Sequence, residues 1–110
     1  MKRDAGEHRT LVLRAADLAE LVLPYFENQR PHDDRPRQAI AAARAWTRGE
    51  ITVGQARAAA FAAHSAARDV TDRPARAAAR AAGHAAATVH VAGHARHAAT
   101  YAAAAEPEST

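Results

Sequence analysis

Thirty-four of the 110 residues are alanine, which leaves only 19 hydrophobic side chains larger than a methyl group. Alanine has the highest helix propensity of any residue, and β-branched runs are almost absent, so an all-β domain is excluded in practice. A thick core or a deep, self-contained cavity is not expected from such a chain. Methyl side chains instead let helices approach at the short end of the usual 8 to 10 Å interaxial range. Each alanine buries little area, at roughly 25 cal/mol per Å², so a modestly stable monomer and a homodimer are the expectation.

Nine of the 19 large apolar residues fall within residues 11–26, where Leu11, Leu18, Leu21, Val22 and Tyr25 recur at three- and four-residue intervals. This segment reads as an amphipathic first helix and the hydrophobic spine of the domain. Pro24 predicts a kink or break near residues 22–24, with Tyr25 and Phe26 packed close by. A polar loop over 28–33 leads to Asp33-Asp34-Arg35-Pro36, a helix start in which an Asp accepts from free amides and Pro occupies the first turn. The second helix runs to about Arg48 and stops at Gly49. Thr52-Val53-Gly54-Gln55 is a capping box opening a third helix that ends near Arg68. Asp72-Arg73-Pro74 repeats the start signal for a fourth helix, expected to reach about Thr88. Val89, His90, Val91 and Gly93 weaken the helix locally, so a break is placed there, with a last helix from about Ala92 to Ala105.

The fold expected is all-α, a compact Ala-rich bundle of four to five helices. The 38-residue spacing of Asp34 and Asp72 raises the alternative of two similar helical hairpins, or a solenoid repeat. Residues 1–105 form one domain in this reading and 106–110 a frayed tail.

No cysteine is present, which removes disulfides, thiol nucleophiles and Cys-ligated zinc. The segment 11–23 carries Arg14, Asp17 and Glu20, so it is neither a signal peptide nor a membrane span. Fifteen basic residues against 12 acidic ones give a formal charge of +3, and fourteen of the fifteen are Arg. Arg73, Arg76, Arg80 and His84 share one stripe, as do Arg37, Arg44 and Arg48. Nucleic acid is nevertheless disfavoured, because acids are interspersed through the first half, aromatics are few and no reading motif is present.

Histidine is the chemically informative residue: five of seven lie between His64 and His97. If the last helix began as early as His90, then His90, His94, His97 and Tyr101 would form one partly buried stripe. On such a helix His90 and His94 could chelate a divalent metal, with His84 or His64 supplied by a neighbour. His64 shares a face with Val53, Ala60 and Phe61 and should point inward, where an imidazole can act as general base or acid. The plainer reading makes these side chains core or boundary histidines. Arg35 and Arg37, at a helix N-terminus beside Asp34, could hold a small anionic ligand through a phosphate or carboxylate; the plainer alternative is capping with surface ion pairs.

Leu23-Pro24-Tyr25-Phe26-Glu27, Asp33-Asp34-Arg35-Pro36-Arg37 and Ala43-Arg44-Ala45-Trp46 are followed by three further ordered motifs. These are Ala62-Ala63-His64-Ser65-Ala66-Ala67-Arg68, Ala81-Ala82-Gly83-His84-Ala85 and His90-Val91-Ala92-Gly93-His94-Ala95. Over residues 18–105 the chain thereby resembles the immunity-five-like group of bacterial immunity proteins, attributed to polymorphic toxin systems. That resemblance implies an all-helical, cytoplasmic, non-catalytic protein that neutralises a partner toxin by direct binding. Asp34, Arg35, Arg37, His64, His90 and His94 match the family's polar motifs. The partner surface expected on this reading includes the Arg stripes and any exposed apolar face of the first helix. The alternative is a small His-dependent enzyme, or a small-molecule or metal-binding protein, built on His64, His90 and His94.

Overall fold

Five helices account for most of the chain in the computed structural model, which describes residues 5–91 and 94–106: α1 (Ala5–Glu27), α2 (Arg35–Thr47), α3 (Val53–Arg68), α4 (Arg73–Ala87) and α5 (His94–Ala105). Among the described residues there is no strand, as the alanine content requires. No helix is long and apolar enough to cross a membrane.

The helix boundaries follow the start and stop signals of the sequence. The Thr52 hydroxyl accepts from the Gln55 amide at 3.1 Å while the Gln55 side chain accepts from the Thr52 amide at 2.8 Å, closing the capping box. Asp72 accepts from the Ala75 amide at 3.0 Å, and Pro74 follows it in the first turn of α4. At α2 the duty shifts by one residue: Asp33, not Asp34, accepts from the Arg35 amide at 3.1 Å. Asp34 stands at the cap position without a capping bond and accepts instead from Gln38. Gly49 adopts φ +73, the left-handed conformation that ends a helix cheaply only without a Cβ. The break after α4 falls as expected, with His90 in the turn and α5 running from His94; Ala92 and Gly93, and the tail beyond Glu106, lie outside the described residues.

Pro24 does not break α1, which continues through it to Glu27. The proline lacks only the N–H that would have met the Glu20 carbonyl, and both residues are exposed, so water can satisfy that carbonyl.

The first helix is also not the spine of the molecule. α4 holds the centre, packed against α1, α2, α3 and α5, and all but five of its fifteen residues are buried. Each of the buried ten is Ala or Gly. A helix that must touch four neighbours presents small residues on nearly every side, because larger ones would hold those neighbours apart. One helix surrounded by four others also differs from a solenoid, in which each repeat meets only the next. The larger side chains fill the periphery of this centre: Val12, Val22, Leu23 and Phe26 from α1, Ile40 from α2, and Val70 and Val89 from the connections. Leu13, Leu18 and Leu21 of α1 point outward.

Ion pairs fasten the outer helices. Arg44 bridges α2 to Asp17 (2.8 Å) and Glu20 of α1, and Arg37 pairs with Glu27 at 2.6 Å. His8 Nε2 donates to the Thr88 carbonyl at 2.6 Å and its ring lies 5.1 Å from that of Trp46, tying the start of α1 to the end of α4.

Overpacking the central helix should be costly. Ala82, fully buried on α4, replaced by Leu is expected to lose about 1 to 3 kcal/mol or more of unfolding free energy. Urea denaturation followed by circular dichroism measures it, and an unchanged midpoint would refute the central packing of α4.

Candidate functional site

The break between α4 and α5 brings the last helix back across α4, and with it the histidines. His84, on α4, is the hub. Its ring centroid lies 4.8 Å from that of His64 on α3, edge-on, and 5.0 Å from His94 and 5.1 Å from His97 on α5. Tyr101 stacks parallel to it at 5.2 Å, and Arg80 lies 5.7 Å from the Tyr101 ring centre. His84 Nδ1 and His94 Nδ1 are 2.8 Å apart, so one ring donates and the other accepts. That bond fails if both rings carry a proton on those nitrogens.

His64 reaches the hub because residue 83 has no side chain. A Cβ at Gly83 would stand 2.6 to 2.9 Å from three atoms of the His64 ring. The glycine, buried in α4, is therefore the seat of the imidazole, at the cost of a weaker helix position.

Burial is the main cause that lowers the pKa of His64, His84 and His94. For His84 the value falls to about 4, with His64, His94, His97 and Arg80 adding repulsion. His94 and the arginines Arg68 and Arg80 act likewise on His64, and His90 and His97 on His94. The shifts favour uncharged rings at His64, His84 and His94, and a neutral imidazole can donate one hydrogen bond and accept another.

Beside the hub lies a groove of about 320 Å³ lined by Arg57, Ala60, Phe61, His64, Ala87, His90 and His94. The expectation that Phe61 points inward with His64 is not met: Phe61 is 61% exposed and Arg57 sits 5.6 Å from its ring centre. The buried face of α3 consists of Ala56, Ala60, Ala63, Ala66 and Ala67 alone, and its close approach to α4 leaves no room for a phenyl ring. Val53 is exposed as well.

His64, His84, His90 and His94 therefore meet, in a different geometry from the single stripe. His90 lies in the turn before α5, so one helix does not carry both members of the His90/His94 pair expected for a metal. Their rings are tilted with centroids 5.8 Å apart, and His94 Nδ1 is occupied by His84. Among the described residues no group of three or more His, Asp or Glu side chains is arranged to hold a metal ion.

Asp34, Arg35 and Arg37 are not part of this groove. Arg35 donates from Nε (2.9 Å) and Nη2 (2.7 Å) to Asp33, and from Nη2 to Asp69 at 2.7 Å. The guanidinium lowers the Asp33 pKa chiefly through that side-chain hydrogen bond. Arg35 and Asp34 line a separate open cleft of about 650 Å³ with residues 29–33 and Asp69, and Arg37 is taken by Glu27. The expectation of Arg35 or Arg37 as a free anion donor gives way to the plainer one, pairing with carboxylates of the same chain. Arg48, paired with Glu50 at 3.0 Å, and Arg44 complete an α2 stripe whose charges are matched by acids, unlike a phosphate-gripping face. Arg57 is the groove residue that sequence reasoning missed. Its spacing of four from Phe61 and seven from His64 was the available signal.

The fold is thus an all-helical bundle with a histidine-lined groove and exposed apolar side chains on its outer faces. The chain belongs to the family described as Imm-5 like putative immunity protein, whose model matches residues 2–109. No curated protein and no solved structure matches it.

Gly83→Ala is expected to destabilise the protein by about 1 to 3 kcal/mol through the clash with His64, although Ala favours helix by about 1 kcal/mol. In a His64→Ala background the same change should become stabilising. Urea melts of the four proteins read this reversal, and an additive pair would refute the contact.

A histidine whose pKa is lower folded than unfolded takes up its proton first in the unfolded chain, so stability declines as pH falls. For His84 the window runs from its ordinary 6.5 down to about 4. Melting temperature should drop across that interval, and His84→Gln should flatten the upper part of the decline. An identical pH profile in the variant would refute the neutral buried state.

Proposed function

We propose that this protein is a non-catalytic immunity-type protein that neutralises a partner toxin by binding it directly through the outer face of α1. Family membership supports the immunity role. The single observation that carries the surface is Leu21, 72% exposed on α1, with Leu18 exposed one turn before it and Leu13 exposed further along the helix. A chain with so few large apolar residues spends three of its leucines outside the core, where they contribute nothing to the packing around α4. Between α1 and α5, Leu18, Leu21 and Val22 with Ala99, Ala102 and Ala103 line a groove of about 220 Å³, with Glu106 at its edge. Asp17, Glu20 and Arg44 form its charged border next to Leu21. An exposed apolar centre with a polar rim is the composition of a protein-binding surface. The alternative, a His-dependent enzyme using His64, His90 and His94, draws no support from the family match.

The test pairs the chain with the toxin encoded beside its gene. Co-expression should restore growth and the two proteins should co-purify, with the complex unaffected by chelators. Leu21→Asp should weaken the complex by about 30-fold or more, as loss of a central anchor does. Because the position is exposed, its own stability should change by no more than about 0.5 kcal/mol. Absence of protection would overturn the immunity reading, and full protection by both Leu21→Asp and Leu18→Asp would overturn the α1 surface.

A further inference from the structure

The distribution of charge around the histidine groove is lopsided. α3, α4 and α5 contain no Asp or Glu at all, while they carry Arg57, Arg68, Arg73, Arg76, Arg80 and Arg96 with four of the histidines. In and after α2 four arginines are matched: Arg35, Arg37, Arg44 and Arg48 each pair with a carboxylate. Arg57, at the groove, instead faces the Phe61 ring and has no carboxylate partner among the described residues. The groove thus combines one unneutralised guanidinium, three imidazoles and an exposed aromatic ring with no acidic residue in its lining.

We propose that this groove binds a carboxylate carried on an apolar or aromatic body, with Arg57, His64, His90 and His94 as the polar donors and Phe61 as the wall. A guanidinium presents a planar fork of donors matched to a carboxylate, and imidazole rings add N–H donors beside it. The lining carries one permanent positive charge, which balances a monoanion and leaves a phosphate dianion half-neutralised. The Phe61 ring with Ala60 and Ala87 offers contact area to the group that bears the charge. Facing the site from the surrounding elements are Arg68 of α3, Arg80 and His84 of α4, and His97 and Tyr101 of α5, none of them a carboxylate. The inference is independent of the toxin reading, which rests on α1, and it is tested on the isolated chain.

Benzoate is titrated into the full chain while the histidine ring resonances are followed by NMR, with benzamide as its neutral counterpart and inorganic phosphate as the competing anion. An acetylated, amidated Phe-Glu dipeptide presents the same chemistry on a polypeptide. Saturable shifts of His64, His90 and His94 are expected with benzoate or the dipeptide, with about tenfold or greater weakening for benzamide and for Arg57→Gln. Circular dichroism of Arg57→Gln, an exposed position, should be unchanged. Tighter binding of the dipeptide assigns the carboxylate to a protein side chain, and tighter binding of benzoate assigns it to a small molecule; either order supports the site. Equal binding of benzamide, preference for phosphate, full affinity in Arg57→Gln, or no saturable shift with either carboxylate would overturn it.

Discussion

Close approach of four helices to a fifth is the constraint on which this molecule depends. α4 is buried on nearly every side, and the residues that allow it are alanines and one glycine. Dispersion contacts grow with the number of atoms brought within reach, so a backbone packed against backbone through methyl groups compensates for the scarcity of large side chains. On the buried faces of α4 and α3 only small residues are found, and the larger buried side chains, Val12, Val22, Leu23, Phe26 and Ile40, come from α1 and α2. Phe61, Leu18 and Leu21 lie at the surface.

The histidine cluster is built by the same geometry. An imidazole from α3 enters the interface with α4 only where the opposing residue lacks a Cβ, and Gly83 supplies that gap. α5 then returns over α4 and delivers His94, His97 and Tyr101 to the other side of His84. Burial, with mutual repulsion, lowers the pKa of His64, His84 and His94, and the His84–His94 bond joins two helices through a contact that needs an uncharged partner. His64 and His94 both pack against the hub and line the groove beside it.

Charge is arranged in two regimes. The first half alternates acids and arginines, and its ion pairs join α1 to α2 and the start of α2 to Asp69. These exposed pairs are each worth at most about 1 kcal/mol, and their effect is to occupy the arginines as much as to stabilise the fold. The helices α3, α4 and α5 lack acids, so their cations are turned to aromatic rings, carbonyls and solvent.

The sequence by itself determined the helical class, two helix starts and one helix stop, and the presence of a histidine-rich end. Those features depend on local chemistry: alanine propensity, Thr52 with Gln55, Asp72 with Pro74, Gly49, and histidines spaced closely enough to meet. Tertiary structure alone decided which helix stands at the centre. Hydrophobic periodicity marked α1, whereas the room available between helices selected α4, and size is judged only against a neighbour. It likewise decided that Arg35 is held by Asp69, 34 residues away, that Phe61 faces outward, and that Gly83 seats His64. Each is a relation between segments distant in the chain, and a local pattern carries no record of which segments will face one another.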